Sequence, residues 1–298
     1  MASTRTRPIS RSWYRPNMSD SAGHPGLTQV DGCYAAELGD CSGRLSGEHW
    51  ISAAMLKLLA EPAGVSIRGA PWLDGEVRAV PVRKLKANIL CKGHNERLSW
   101  LDEFAPVWAR RLGVGVEANP ADTPTEVITG RGIELWLLKL LCGLGVSGNM
   151  GRDGVAVRGW KPPLHWLRIL FGRADFVPGA GLYTRKMAPR DIGQYLAATA
   201  YEGHQGPAGV MIEVPGHALL LCCEEPPPAN IQGGSYRPLV IGNALIHWDW
   251  RSRGPEWARW VWEVSRVSQV SAAVPSRRAR RGARLACALA RASAEPKP

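Results

Sequence analysis

Phenylalanine is almost missing from this chain, with three residues against thirteen tryptophans, and lysine supplies only eight of its 37 basic side chains. No run approaches the ~20 consecutive apolar residues needed to span a bilayer as a helix, so a membrane-embedded protein is not expected. The first residues carry Arg5, Arg7, Arg11 and Arg15 but no apolar stretch, unlike a secretory leader, and a cytoplasmic protein is expected. Seven cysteines are too sparse and too unevenly placed for a disulfide framework. The glycine-rich run Ser147-Gly148-Asn149-Met150-Gly151 has no following Lys-Ser/Thr, which excludes a phosphate-binding loop. No internal repeat is present.

What remains is a chain that is 45% hydrophobic over 298 residues, enough for one large core or two modest ones. The net charge of +11 is concentrated at the ends: residues 1–28 carry +3 and residues 276–298 carry +6, leaving +2 for everything between. Both ends are rich in Arg, Pro, Ser or Ala with little periodicity and are expected to be disordered tails. Such tails can add salt-sensitive affinity for phosphate, which makes nucleic acid a possible partner, or they are solvated ends without a role; the body between them makes no strong electrostatic claim. The sequence sets no oligomeric state.

The most specific local pattern is Asn88-Ile89-Leu90-Cys91-Lys92-Gly93-His94-Asn95. A C-x-x-H knuckle lets one tight turn present a thiolate and an imidazole to the same zinc ion. Cys41 offers a third ligand, and Cys33 a fourth, with Glu37, Asp40 or a water as substitutes for it. Beside the knuckle lie Glu48-His49 and Asn95, residue types that can hold a divalent cation and activate water. Glu48-His49 also admits a structural reading, in which Glu48 opens a helix at Trp50 and His49 belongs to the core or the zinc shell. Cys142, Cys222 and Cys223 lie in apolar segments and read as small buried hydrophobes, while Cys287 sits alone in the basic tail. His217 and His247 read as ordinary strand residues. Trp248, Trp250, Trp257, Trp260 and Trp262 interleave with Arg251, Arg253 and Arg259, a pattern that can stack bases or anchor a core.

The order Cys, then Glu-His, then Leu-Cys-x-x-His-Asn over about residues 29–105 resembles the HNH, or ββα-metal, endonucleases. Two knuckles brace that fold, where this chain has the wider Cys33–Cys41 spacing and a C-x-x-H. Lys86 stands where the family's middle Asn is usual, with Asn88 two residues on. The resemblance implies a structural Zn²⁺ on Cys33, Cys41, Cys91 and His94. It also implies a catalytic Mg²⁺ or Mn²⁺ positioned by Asn95 and ligated by Glu48, with His49 as general base. It implies hydrolysis of DNA or RNA; the alternative is a non-catalytic zinc module that binds nucleic acid or protein.

The expected fold is α+β: a small zinc-braced ββα-metal-like module at 29–112, a Pro/Gly/acidic linker at 113–130, and a domain of helices on an antiparallel sheet at 131–275. Within the module, residues 29–49 are expected to form a strand pair around Gly39-Asp40, residues 50–60 a helix with Ile51, Met55, Leu58 and Leu59 on one face, and residues 65–90 two strands around Asp74-Gly75. Ser99, with Asp102 three residues on, is expected to cap a helix reaching about Leu112, kinked at Pro106. Beyond the linker, residues 131–147 are apolar nearly all round and predict a buried central helix. Pro162-Pro163 open another helix, stopped by Gly172. Val210–Val214 and His217–Cys223 predict a hairpin, and Leu239–Ile241 and Ala244–Trp248 further strands.

Overall fold

In chain order the elements of the computed structural model are β1 (Leu45–His49), α1 (Ala53–Leu56), β2 (Val65–Arg68), β3 (Val77–Val80), β4 (Lys86–Cys91), α2 (Lys92–Arg111), β5 (Val127–Thr129), α3 (Gly130–Val146), β6 (Gly151–Arg152), β7 (Val155–Ala156), α4 (Leu164–Leu170), β8 (Gly181–Lys186), β9 (Ala197–Gly203), β10 (Gly206–Val214), β11 (His217–Cys222), β12 (Ser235–Tyr236), β13 (Val240–Ile241) and β14 (Ile246–Asp249). The structure describes residues 28–112, 114, 127–152, 155–186, 196–203, 206–214, 217–225, 235–238, 240–241 and 246–249. The expected tail at 1–28 except Thr28, the tail at 276–298, most of the linker, Cys287 and the Trp/Arg run from Trp250 onward lie outside these residues. Among the described residues the fold is mixed α+β, with four α-helices and small, mostly antiparallel sheets.

Helix α3 occupies the middle of the core. Ile133, Leu137, Leu138 and Leu141 on it are fully buried, as expected for a helix apolar on every face. Trp136 meets Trp108 of α2 edge to face at 5.1 Å. Leu98, Leu101 and Ala105 of α2, Trp166 and Leu167 of α4, and Val210, Ile212, Leu219 and Leu221 of the sheet complete one hydrophobic cluster. Each large side chain so buried contributes about 1.5–3 kcal/mol. The segments before and after residues 113–130 therefore share a single core, and Val127–Thr129 of that stretch form β5, paired in parallel with β14.

The five-stranded sheet runs β12-β8-β11-β10-β9, antiparallel throughout. The predicted hairpin is β10–β11, with Val210↔Leu221 and Ile212↔Leu219 in register. Val210, Ile212 and Val214 are buried while Met211 and Glu213 are half-exposed, the period of two that reveals a strand covered on one face. Gly209 is opposite Cys222, and a Cβ there would collide with the Leu221 carbonyl oxygen. Backbone cannot yield as a side-chain tip can, so Gly209→Ala is expected to cost about 2 kcal/mol, roughly 4–8 °C of melting temperature. A variant melting with wild type would show that the two strands do not approach this closely.

Three local expectations are revised. Residues 29–44 form no strand pair; they hold a short 3-10 turn at Ala36–Leu38, closed by Gly39 in the left-handed region (φ 77°), and a bridge between Thr28 and Asp40. The partner of β1 is β4, far along the chain. The helix expected at 50–60 is one α-turn, because Leu58 and Leu59 bond back only three residues, to Met55 and Leu56, and a tight Glu61–Gly64 turn follows. Ser99 caps nothing: α2 begins seven residues earlier at Lys92, and the Ser99 hydroxyl donates to the Glu96 carbonyl within the helix. The N-cap is Cys91, whose sulfur accepts from the His94 N–H, a role usually read from Ser, Thr, Asp or Asn.

Candidate metal centre and adjoining cleft

The site is built at the corner where β4 runs into α2. The loop before β1 is pinned to this corner by backbone bonds: Tyr34 N–H to Ile89 O at 2.9 Å, Gly93 N–H to Ser42 O at 3.0 Å and Lys92 N–H to Arg44 O at 2.9 Å. A Cβ on Gly93 would strike the Ser42 hydroxyl, so a larger residue there requires that hydroxyl to turn away. These bonds deliver Cys33 and Cys41 to the C-x-x-H turn.

Cys33, Cys41, Cys91 and His94 converge, all four buried, with their ligand atoms within 4.8 Å of one another. His94 Nδ1 lies 3.4, 3.7 and 3.1 Å from the sulfurs of Cys33, Cys41 and Cys91. Around an ion with bonds of 2.0–2.3 Å, tetrahedral edges measure about 3.5–3.8 Å. Such a Cys₃His cluster could hold a metal such as zinc.

The electrostatics fit that use. Asp40 accepts from His94 Nε2 at 2.8 Å. Burial works to raise the Asp40 carboxyl, but hydrogen bonds from Arg97 (2.5 Å) and His94 and the charge of Arg173 outweigh it and hold it below its usual range. An ionised Asp40 fixes the proton of His94 on Nε2 and leaves the Nδ1 lone pair facing the sulfurs, the arrangement by which a carboxylate orients a metal-binding histidine. Burial also lowers the pKa of His94, with Asp40 opposing and Arg97 and Arg173 assisting, so the ring is the neutral ligand form. Burial pushes the Cys33 thiol up to about 12 and raises that of Cys41. Cys91 is also desolvated, yet donors from the His94 and Ser42 backbone and the neighbouring thiols bring it below its ordinary value. Three buried sulfurs can become thiolates together only beside a cation. Asp40, a substitute ligand on sequence grounds, stands behind His94 and does not replace Cys33.

On the other side of the same corner is an open cleft of ≈ 410 Å³, lined among others by Gly47, Glu48, His49, Lys57, Asn95 and Asp102. His94 and Asn95 are successive residues of the first turn of α2, so their side chains diverge by about 100°: one enters the cluster, the other the cleft. The Ser46 hydroxyl donates to Leu90 O at 3.3 Å and must accept from Asn95 Nδ2 at 3.1 Å. That bond commits the Asn95 amide group and leaves its carbonyl oxygen available. His49, at the end of β1, is half-buried and lines the cleft; its Nε2 is buried without a hydrogen-bond partner, and the Val82 backbone lies within reach of the ring. Burial lowers its pKa, the Asp102 carboxylate opposing and Lys86 assisting, so the ring is neutral and basic near pH 7.

Glu48 forms the floor of the cleft and is 3% exposed. Its Oε1 lies 2.5 Å from Lys139 Nζ of α3, an ion pair without hydrogen-bond geometry, and Lys139 donates to Asp102 at 2.6 and 2.7 Å. Ser52 donates to Asp102 at 2.5 Å and accepts from Trp136 Nε1 at 2.8 Å. Burial raises the Glu48 carboxyl, with Lys139 opposing. Lys139 escaped the sequence analysis, although a lysine on a helix apolar nearly all round is itself the signal of a buried ion pair.

Compared with known proteins, the chain matches no family model, no curated protein and no solved structure at a significant level. No helix among the described residues is long and apolar enough to cross a membrane.

Proposed function

We propose that this chain is a zinc-braced, HNH-like metal-dependent nuclease that hydrolyses phosphodiester bonds in DNA or RNA. One observation carries the reading: His49, ending β1, and Asn95, opening α2, line one open cleft on a β1–β4–α2 frame whose corner holds the buried Cys₃His cluster. Zinc at Cys33, Cys41, Cys91 and His94 is structural, since all four side chains are buried and four protein ligands close the coordination. His49 takes a proton from the attacking water. Mg²⁺ or Mn²⁺, when bound, polarises the scissile phosphate and stabilises the leaving oxygen. The Asn95 carbonyl oxygen, held by Ser46, and Glu48 are the groups that would hold it.

His49→Ala is expected to lower plasmid nicking in Mg²⁺ or Mn²⁺ by roughly 10²–10⁴-fold, with zinc content and melting temperature unchanged. Loss of zinc in that variant would make His49 a structural residue. The capture of Glu48 by Lys139 favours a second reading, a zinc module that binds nucleic acid or protein without cleaving it. Fully zinc-loaded wild type that cuts neither DNA nor RNA in Mg²⁺, Mn²⁺ or Ni²⁺ would decide for the latter.

A further inference from the structure

Most of the cleft's carboxylates already have partners. Glu48 and Asp102 share Lys139, and Glu96 faces Lys92 at 3.7 Å. Two exposed ammonium groups at the cleft have no acidic partner among the described residues. Lys57 lines the cleft itself. Lys86 is the cross-strand partner of His49, and its side chain runs over Gly47 on the cleft wall: a Cβ on Gly47 would lie 3.1 Å from Lys86 Cδ and 3.6 Å from its Nζ. A side chain at position 47 would require the lysine to shift by a few tenths of an ångström. The Lys86 charge is close enough to bias the His49 ring toward its neutral form, so it is also close enough to act on an anion placed beside that ring.

We propose that Lys57 and Lys86 bind the nucleic-acid backbone at this cleft, gripping the phosphates that flank the one presented to His49. The inference rests on the nuclease reading for the role of His49, but the lysine contacts are measurable without cleavage. An ammonium on a flexible stem suits a phosphate as a point charge. Both residues are positioning residues: neither meets the attacking water.

The test is binding of the full-length, zinc-loaded chain to a short fluorescein-labelled DNA duplex, and to the matching RNA, followed by anisotropy across a salt series without added divalent ion. Lys57→Gln and Lys86→Gln should each weaken binding roughly three- to tenfold and reduce the log–log salt slope by about 0.9 on duplex DNA. Lys86→Arg, which keeps the charge, should restore both. Zinc content and melting should not change, since both side chains are exposed. If the nuclease reading also holds, the Gln variants should raise KM with kcat little altered. A double Gln variant with wild-type affinity and slope overturns the proposal, as does wild type that binds neither duplex. If wild type cleaves but the double variant keeps its KM, this inference fails and the nuclease reading stands. If wild type binds through the two lysines and never cleaves, the reverse holds.

Discussion

Cys91→Ser protein is expected to purify without stoichiometric metal and with the region around β1, β4 and the start of α2 opened. Cys91 does two jobs in the fold: its sulfur faces His94 Nδ1 at 3.1 Å, and it caps α2 through the His94 N–H. The segment from Thr28 to Arg44 has one 3-10 turn, a few backbone bonds and the buried side chains of Tyr34 and Ala35, so the cross-link is expected to supply much of its order. Zinc binding in structural sites is worth about 10–16 kcal/mol near neutral pH, comparable to or larger than the ~5–15 kcal/mol net stability of a whole domain. Wild type should therefore carry one zinc per chain by elemental analysis. Chelation should reproduce the Cys91→Ser phenotype: rapid hydrogen exchange and proteolysis between residues 28 and 49, with slower exchange retained in α3 and the β8–β11 sheet. Metal-free wild type that keeps its melting temperature and its protection in that loop would show that the cluster is held by packing alone.

Lys139→Met is expected to have the second-largest effect. The ammonium is 5% exposed and joins Glu48 of β1 to Asp102 of α2 from its seat on α3. Removing one member of a buried pair strands the other charge, at a cost of about 3–5 kcal/mol, or roughly 10 °C in melting temperature. Glu48 bears the damage, since Asp102 is part-exposed and keeps its bond from Ser52. The pH dependence follows from the direction of the Glu48 shift. Burial already raises its carboxyl in the native state, and Lys139 is the group opposing that; without the lysine the native value climbs further above the unfolded one. A group with a raised native pKa stabilises below its unfolded pKa and loses that contribution as pH rises through the native value. The variant should thus be nearly as stable as wild type below ordinary carboxylate pKa values and fall progressively behind over the pH range from there through the raised native value. Glu48→Gln in the same chain should recover most of the loss at neutral pH. A deficit equal at both ends of that range, untouched by Glu48→Gln, would mean that Lys139 contributes packing and no charge pairing.

Much of the local structure was legible because it repeats along the chain. The apolar run at 131–147 predicts a helix with no solvent face, and α3 is that helix. Alternation from Val210 to Val214 predicts a strand covered on one side, with the Pro215-Gly216 turn signal ahead of its partner. The C-x-x-H spacing identifies the corner at which the buried cluster forms. The misjudged elements are those whose limits come from distant partners. Periodicity at 50–60 is genuine, yet the α-turn is short because Trp50, Leu56, Val65, Val80 and Leu85 pack as a small separate cluster that bends the chain back at once. The start of α2 was hidden because a cysteine sulfur takes the capping position.

Sequence alone determined which residues are chemically able to bind a metal and which segments must be buried, because side-chain chemistry and hydrophobic period are local properties. Only the tertiary structure decided that β1 pairs with β4 across an intervening hairpin, and that Cys33 and Cys41 reach the knuckle. It alone set Asp40 behind His94 rather than in the cluster, and Glu48 against Lys139. Those pairings join residues far apart in the chain, where no period or spacing rule applies. They are selected by the cost of leaving a buried donor, acceptor or charge unsatisfied, and that cost exists only once the core around α3 has closed.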